Sequence, residues 1–141
     1  MSGPHEHESL AETYLATIVR VELEGRWISA RDAAAALGTF HVITAWNPGA
    51  VRPSRIENND ANMRLHDMLV AQGCAPMRAV GSDPNSSHAE ESWAVTELDD
   101  VKARAIGALF GQWAVFRITR AEQAVLGCFG DWMRSRPLDL P

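Results

Sequence analysis

Lysine is nearly absent: of 13 basic residues only Lys102 is lysine, a bias that reads as genome composition rather than as a guanidinium-specific function. Cysteine is almost as scarce. Cys74 and Cys128 lie far apart, in neither metal-binding nor redox spacing, so they read as reduced, half-buried thiols and not as a disulfide framework or a zinc site. No apolar run approaches the roughly 18 residues that span a bilayer. The opening Met1-Ser2-Gly3-Pro4-His5-Glu6-His7-Glu8 is polar and acidic, without the basic start and apolar stretch of a secretory signal. A cytoplasmic location with no membrane partner is therefore the expectation. Basic residues form no stripe and the net charge is -5, which argues against a nucleic-acid partner. No glycine-rich phosphate loop, nucleophile elbow or two-histidine helix motif occurs, so neither a cofactor nor a metal is indicated.

What is present suits one domain. A chain of 141 residues, 46% hydrophobic and 22% charged, has ordinary globular composition. A chain of this size buries about 68 to 70% of its unfolded surface. Residues 1–8 and 136–141 read as tails flanking a single α+β domain over 9–135. Val19, Val21 and Leu23 alternate with Arg20, Glu22 and Glu24, the period of a half-buried strand, and Glu24-Gly25-Arg26 turns the chain into Trp27-Ile28. Ser29, with Asp32 three residues on, caps a short alanine-rich helix ended by Gly38. Phe40 to Trp46 is a β-prone run stopped by Asn47-Pro48-Gly49. Ser54-Arg55-Ile56-Glu57 has capping-box spacing, and the helix it opens carries Asn58, Asn62, Leu65 and Leu69 on one stripe before Gly73. Strands over Ala75–Val80 and Glu91–Val95 flank a loop from Gly81 to Ser87. Thr96, with Asp99 three residues on, caps a helix through Phe110, and strands over Trp113–Ile118 and Gln123–Phe129 complete the chain. The order predicts a ferredoxin-like β-α-β-β-α-β core with an N-terminal strand-helix and a C-terminal strand: a mostly antiparallel sheet with helices on one face.

Four blocks carry a resemblance. They are Ile43-Thr44-Ala45-Trp46-Asn47-Pro48, then Ser54, Asn58, Asn62 and Leu65, then Glu90-Glu91-Ser92-Trp93, and Phe110-Gly111-Gln112-Trp113-Ala114-Val115-Phe116. Over roughly residues 14 to 118 the chain resembles a bacterial family catalogued as domain of unknown function 3293. Four separated blocks in one order are more specific than any single block. The resemblance implies a domain and motif positions, with no established activity.

In that topology Asn47 lies just past the carboxyl end of a central strand, facing the start of the capped helix. Thr44, Asn47, Asn58, Asn62, Glu90 and Gln112 would line a polar cleft walled by Trp46 and Trp93. Amide side chains both donate and accept hydrogen bonds, and the indoles offer stacking planes. The helix amide end, with Arg52 and Arg55, favours an anion, so a small anionic or nucleotide-like ligand is expected. Glu90 is the one acid or base of the set, a weak catalytic candidate without a histidine or lysine partner by spacing; His88 is the histidine nearest the cleft. Each residue also has a purely structural explanation. Asn47 shapes a turn before Pro48, Ser54 caps, Asn58 and Asn62 tie the following loop to the helix, and Gln112 satisfies strand ends.

His5-Glu6-His7 resembles a chelate but falls in the tail, and His41 and His66 read as packed or surface residues. Besides a ligand-binding protein, catalytic or regulatory, the sequence permits a non-catalytic interaction module in which an open sheet edge pairs with a partner or forms a homo-oligomer.

Overall fold

Ile18 to Leu23 realises its alternation: Val19 and Val21 are buried while Ile18 and Arg20 face out. In the computed structural model, which describes residues 4–50, 52–85 and 88–138, this segment is strand β1 (Ile18–Leu23). It turns through Glu24 (φ 52°) and Gly25 (φ 77°) into β2 (Arg26–Ser29). Two successive left-handed residues match the twist of a two-residue hairpin. Helix α1 (Pro4–Leu15) precedes this hairpin and takes in residues 4–8, read above as tail; the side chains of His5, Glu6 and His7 lie outside the described residues.

The Ser29 hydroxyl accepts the Asp32 amide (3.0 Å) and opens α2 (Ala30–Leu37). Strand β3 (Phe40–Ile43) ends before Thr44, shorter than its β-prone run. Helix α3 (Arg55–Ala71) begins with both halves of the capping box formed, and its buried stripe is Asn58, Asn62, Leu65 and Leu69, as its spacing requires. The hairpin β4 (Met77–Ser82) and β5 (Ala89–Val95) follows; Ser86 and Ser87 of its loop lie outside the described residues. Helix α4 (Asp100–Leu109) is capped by Asp99, whose carboxylate accepts the Lys102 amide (2.8 Å), and not by Thr96 three residues earlier. An ionised acceptor at the helix start wins over a hydroxyl one turn upstream. Strands β6 (Ala114–Ile118), β7 (Glu122–Gly127) and β8 (Met133–Pro137) end the fold.

The fold is α+β. Among the described residues, eight strands form one antiparallel sheet in the order β2-β1-β4-β5-β3-β6-β7-β8. The expectation of helices on one face is corrected. Helices α3 and α4 cover the face bearing Ile43, Val95, Val115 and Leu126, whereas α2 covers the opposite face, bearing Val21, Phe40, Val42 and Ile118. All four residues of β3 are buried, and a strand with apolar side chains on both faces needs a layer on each side. The C-terminal strand is two strands. β8 is the exposed edge strand Met-Arg-Ser-Arg-Pro, and its place comes from pairing with β7.

Several arginines do work that lysine's point charge suits less well. Arg104 Nη1 donates to the carbonyls of Gly127, Gly130 and Trp132 in the β7–β8 turn, and Arg120 donates to Ala34 and Ala35 at the end of α2. Among the described residues, no helix is long and apolar enough to cross a membrane.

Candidate functional site

The segment after β3 is held by side chains. Thr44 Oγ1 donates to the Glu91 carbonyl (2.7 Å) and accepts the Trp46 amide (3.0 Å). Asn62 Oδ1 accepts the Ala45 amide (3.2 Å), and Asn58 Oδ1 accepts the Asn47 amide (3.0 Å). Gln112 Nε2 donates to the Trp46 carbonyl (3.0 Å), and Gly49 N–H donates to the Gly111 carbonyl (2.9 Å). Backbone groups here have no ladder to join, so burial requires these amide partners. Asn47 adopts φ 48°, a left-handed conformation that asparagine tolerates better than most side chains.

Thr44, Asn47, Asn58 and Gln112 therefore come together, and they fasten the loop to α3 and to the entry of β6. Their amides are largely engaged with backbone and with each other; Asn58 Nδ2 also donates to Asn47 Oδ1 (3.0 Å). Trp46 is half-buried beside them, its Nε1 buried without a partner among the described residues.

Glu90 sits on the rim of this loop, where its Oε2 accepts from Asn47 Nδ2 (2.8 Å) and lies 3.3 Å from His88 Nε2. The expectation that Glu90 lacks a histidine partner is thus corrected: His88, immediately before β5, supplies the imidazole. Arg52 Nη1 lies 3.4 Å from His88 Nδ1. A guanidinium only donates, so Nδ1 accepts and Nε2 carries the proton toward Glu90. Glu90 also acts on Tyr14 of α1. Burial first, then the nearby charges of Glu90 and Cys128, push the Tyr14 phenol up to about 12.

Asn62 and Trp93 belong to a different space. A cleft of about 350 Å³ lies between α3 and the β4–β5 hairpin, lined by Arg55, Asn59, Asn62 and Met63 from the helix and by Arg78, Glu91 and Trp93 from the strands. That volume is at the small end of ligand pockets. Alternation along β5 puts Glu91 and Trp93 on the cleft side and Glu90 on the other, so Glu90 does not face this space. Trp93 is fixed by donating Nε1 to the Asn62 carbonyl (2.8 Å) and by packing on His66, ring centroids 4.7 Å apart. Arg78 lies opposite Trp93 in the strand register and bridges Glu22 (3.7 Å) and Glu91 (3.6 Å), with its guanidinium 5.5 Å from the Trp27 ring centre.

Sequence reading missed Asn59, Met63, Arg78 and Glu91. A signal existed for Arg78, a charged residue on a predicted strand beside the Glu90-Glu91-Ser92-Trp93 block. Asn59 carried none, since one helical residue turns it about 100° from the buried stripe.

A second polar cluster lies under the start of α4. His41 of β3, 2% exposed, places Nε2 2.8 Å from Asp100 Oδ1, and Arg117 of β6 reaches Asp100 and Glu122. Burial pushes the Asp100 carboxyl up, but the hydrogen bond from His41 and the charge of Arg117 outweigh it and hold the group below its ordinary value. Among the described residues, no group of three or more metal-ligating side chains is assembled.

The model of a family described as protein of unknown function (DUF3293) matches residues 43–115, from the last residue of β3 to the second of β6. No curated protein and no solved structure matches the chain.

Proposed function

The chain belongs to the DUF3293 family of proteins of unknown function, and we propose that it binds a small anionic ligand in the cleft between α3 and the β4–β5 hairpin. The observation that carries this reading is the asymmetry of Asn62. The residue is 6% exposed, and its Oδ1 is committed to the Ala45 amide. Its Nδ2 makes no hydrogen bond among the described residues and belongs to a side chain that lines the cleft. With its acceptor fixed, this amide presents a donor of set direction on a residue that lines the cleft. Arg55 adds a guanidinium that makes no ion pair among the described residues. Donors on one side and the Trp93 indole on the other suit an acceptor-rich head with an apolar body.

In this reading the Thr44–Pro48 loop is the rigid support that orients Asn62, and Thr44, Trp46, Asn47, Asn58 and Gln112 act through it. The strand order β4-β5-β3-β6, with α3 and α4 as the crossovers, supports a ferredoxin-like core for the middle of the sheet. The free thiols Cys74 and Cys128 support a reducing, cytoplasmic setting.

A thermal-shift series with small carboxylates and phosphates tests the proposal. At least one anion is expected to raise the transition of the parent protein, and Asn62→Asp and Arg55→Ala are expected to lose that rise. A ligand at about 100 times its Kd contributes about 2.7 kcal/mol, a readily measured shift. If no anion moves the parent protein, the proposal fails.

One observation favours a second reading. The sheet is open at β2 and β8, and Trp27 on the β2 edge is 40% exposed, so edge pairing between copies or with a partner would cover it. Sedimentation across a concentration range separates the two, because a strict monomer removes pairing between copies.

A further inference from the structure

We infer that the ligand carries a single negative charge on a flat apolar body, an aromatic monocarboxylate, and that the cleft discriminates against phosphate esters. The inference rests on the cleft reading above and deepens it through the charges that face the space. Two cations line the cleft, but Arg78 is already compensated: it bridges the carboxylates of Glu22 and Glu91 and lies over Trp27. Arg55 has no such partner among the described residues and leaves one uncompensated positive charge. Glu91 lines the same space with a side chain 39% exposed, so a ligand placed between Arg55 and Asn62 meets a carboxylate on the facing strand. One negative charge is neutralised by Arg55, and a second would be repelled by the Glu22–Arg78–Glu91 group, whose two carboxylates outnumber its one guanidinium. The fixed Nδ2 donor of Asn62 suits one carboxylate oxygen, leaving the other for the guanidinium. Met63 from the helix and Trp93 from the strand give the cleft apolar and aromatic surface on which a planar group can pack.

Titration of the full chain with three probes that share one ring tests this: 2-naphthoate, 2-naphthyl phosphate at pH 8 where it is a dianion, and 2-naphthylmethylamine. The readouts are the Asn62 side-chain amide and Trp93 indole N–H signals in ¹H–¹⁵N spectra. Naphthoate is expected to shift both signals and to bind about tenfold more tightly than the phosphate. Arg55→Gln is expected to remove naphthoate binding, and Glu91→Gln to bring the phosphate within about threefold of naphthoate. Both replacements are at solvent-accessible positions, and circular dichroism verifies their folding. Phosphate binding equal to or tighter than naphthoate, or binding of the amine, overturns the monocarboxylate assignment while leaving a ligand cleft in place. Absence of any shift at Asn62 and Trp93 with all three probes overturns the cleft reading itself.

Discussion

Asn58 and Asn47 are joined by two hydrogen bonds: Asn58 Oδ1 accepts the Asn47 backbone amide at 3.0 Å, and Asn58 Nδ2 donates to Asn47 Oδ1 at 3.0 Å. A helix side chain thereby holds both the backbone and the side chain of a residue in a left-handed conformation. Its carboxamide does for the loop what a neighbouring strand would do for a ladder. Asn58→Ala leaves the Asn47 amide without its acceptor and should lower stability by about 1 to 3 kcal/mol. Urea unfolding measures this, and a loss within a few tenths of a kcal/mol would show that the loop finds other partners.

The Asp100 cluster makes stability depend on acid. Its carboxyl is held below its ordinary value in the fold, so the stabilisation is complete above the unfolded value and is lost as pH falls through the folded one. With an unfolded value of about 3.9, the loss should begin below about pH 4. The stability gap between the parent protein and Asp100→Asn should therefore narrow as pH drops from neutral toward 3. A gap that widens on acidification contradicts this origin.

Gly127 has no room for a methyl group, because an added Cβ would overlap the Trp132 indole. The Trp132 indole also packs on Trp113, with ring centroids 4.5 Å apart. Gly127→Ala should displace the indole, change the tryptophan fluorescence and cost about 1 to 3 kcal/mol. In the Trp132→Ala background the same change should cost little, giving a non-additive double-mutant cycle. Additive losses would place the strain elsewhere.

Burial pushes the Cys128 thiol up to about 12 against the opposing charge of Arg104, and burial raises Cys74 as well. The thiolate is the reactive form, so both thiols should react slowly with a disulfide reagent at pH 8 in the native protein and quickly in denaturant. Native-state labelling of Cys128 at the rate of a free thiol would contradict its packing.

Much of the fold was legible because its signals are local. The capping box at Ser54 and Glu57, the Ser29 cap, the β1 alternation and the Asn58-Asn62-Leu65-Leu69 stripe each lie within a few turns of chain, where backbone hydrogen bonding and side-chain period decide structure. β8 was illegible for the opposite reason. Its residues, Arg136 apart, are exposed and do not alternate, and its extended form comes from the edge of β7. Helix α1 likewise gains its place by lying against β7 and β8, which are more than a hundred residues away in the chain.

By itself the sequence determined most of the elements between β1 and β7, the Ser29 and Ser54 caps and the residues that converge after β3, because periodicity and capping act over a few residues. Only the tertiary structure decided what those residues face. Register placed Glu91 rather than Glu90 beside Arg78 and Trp93, and a slip of one residue would have exchanged them. The same packing turned Asn58 toward Asn47 and left one end of Asn62 to the cleft, a division between two asparagines one helical turn apart that depends on the strand lying across from each.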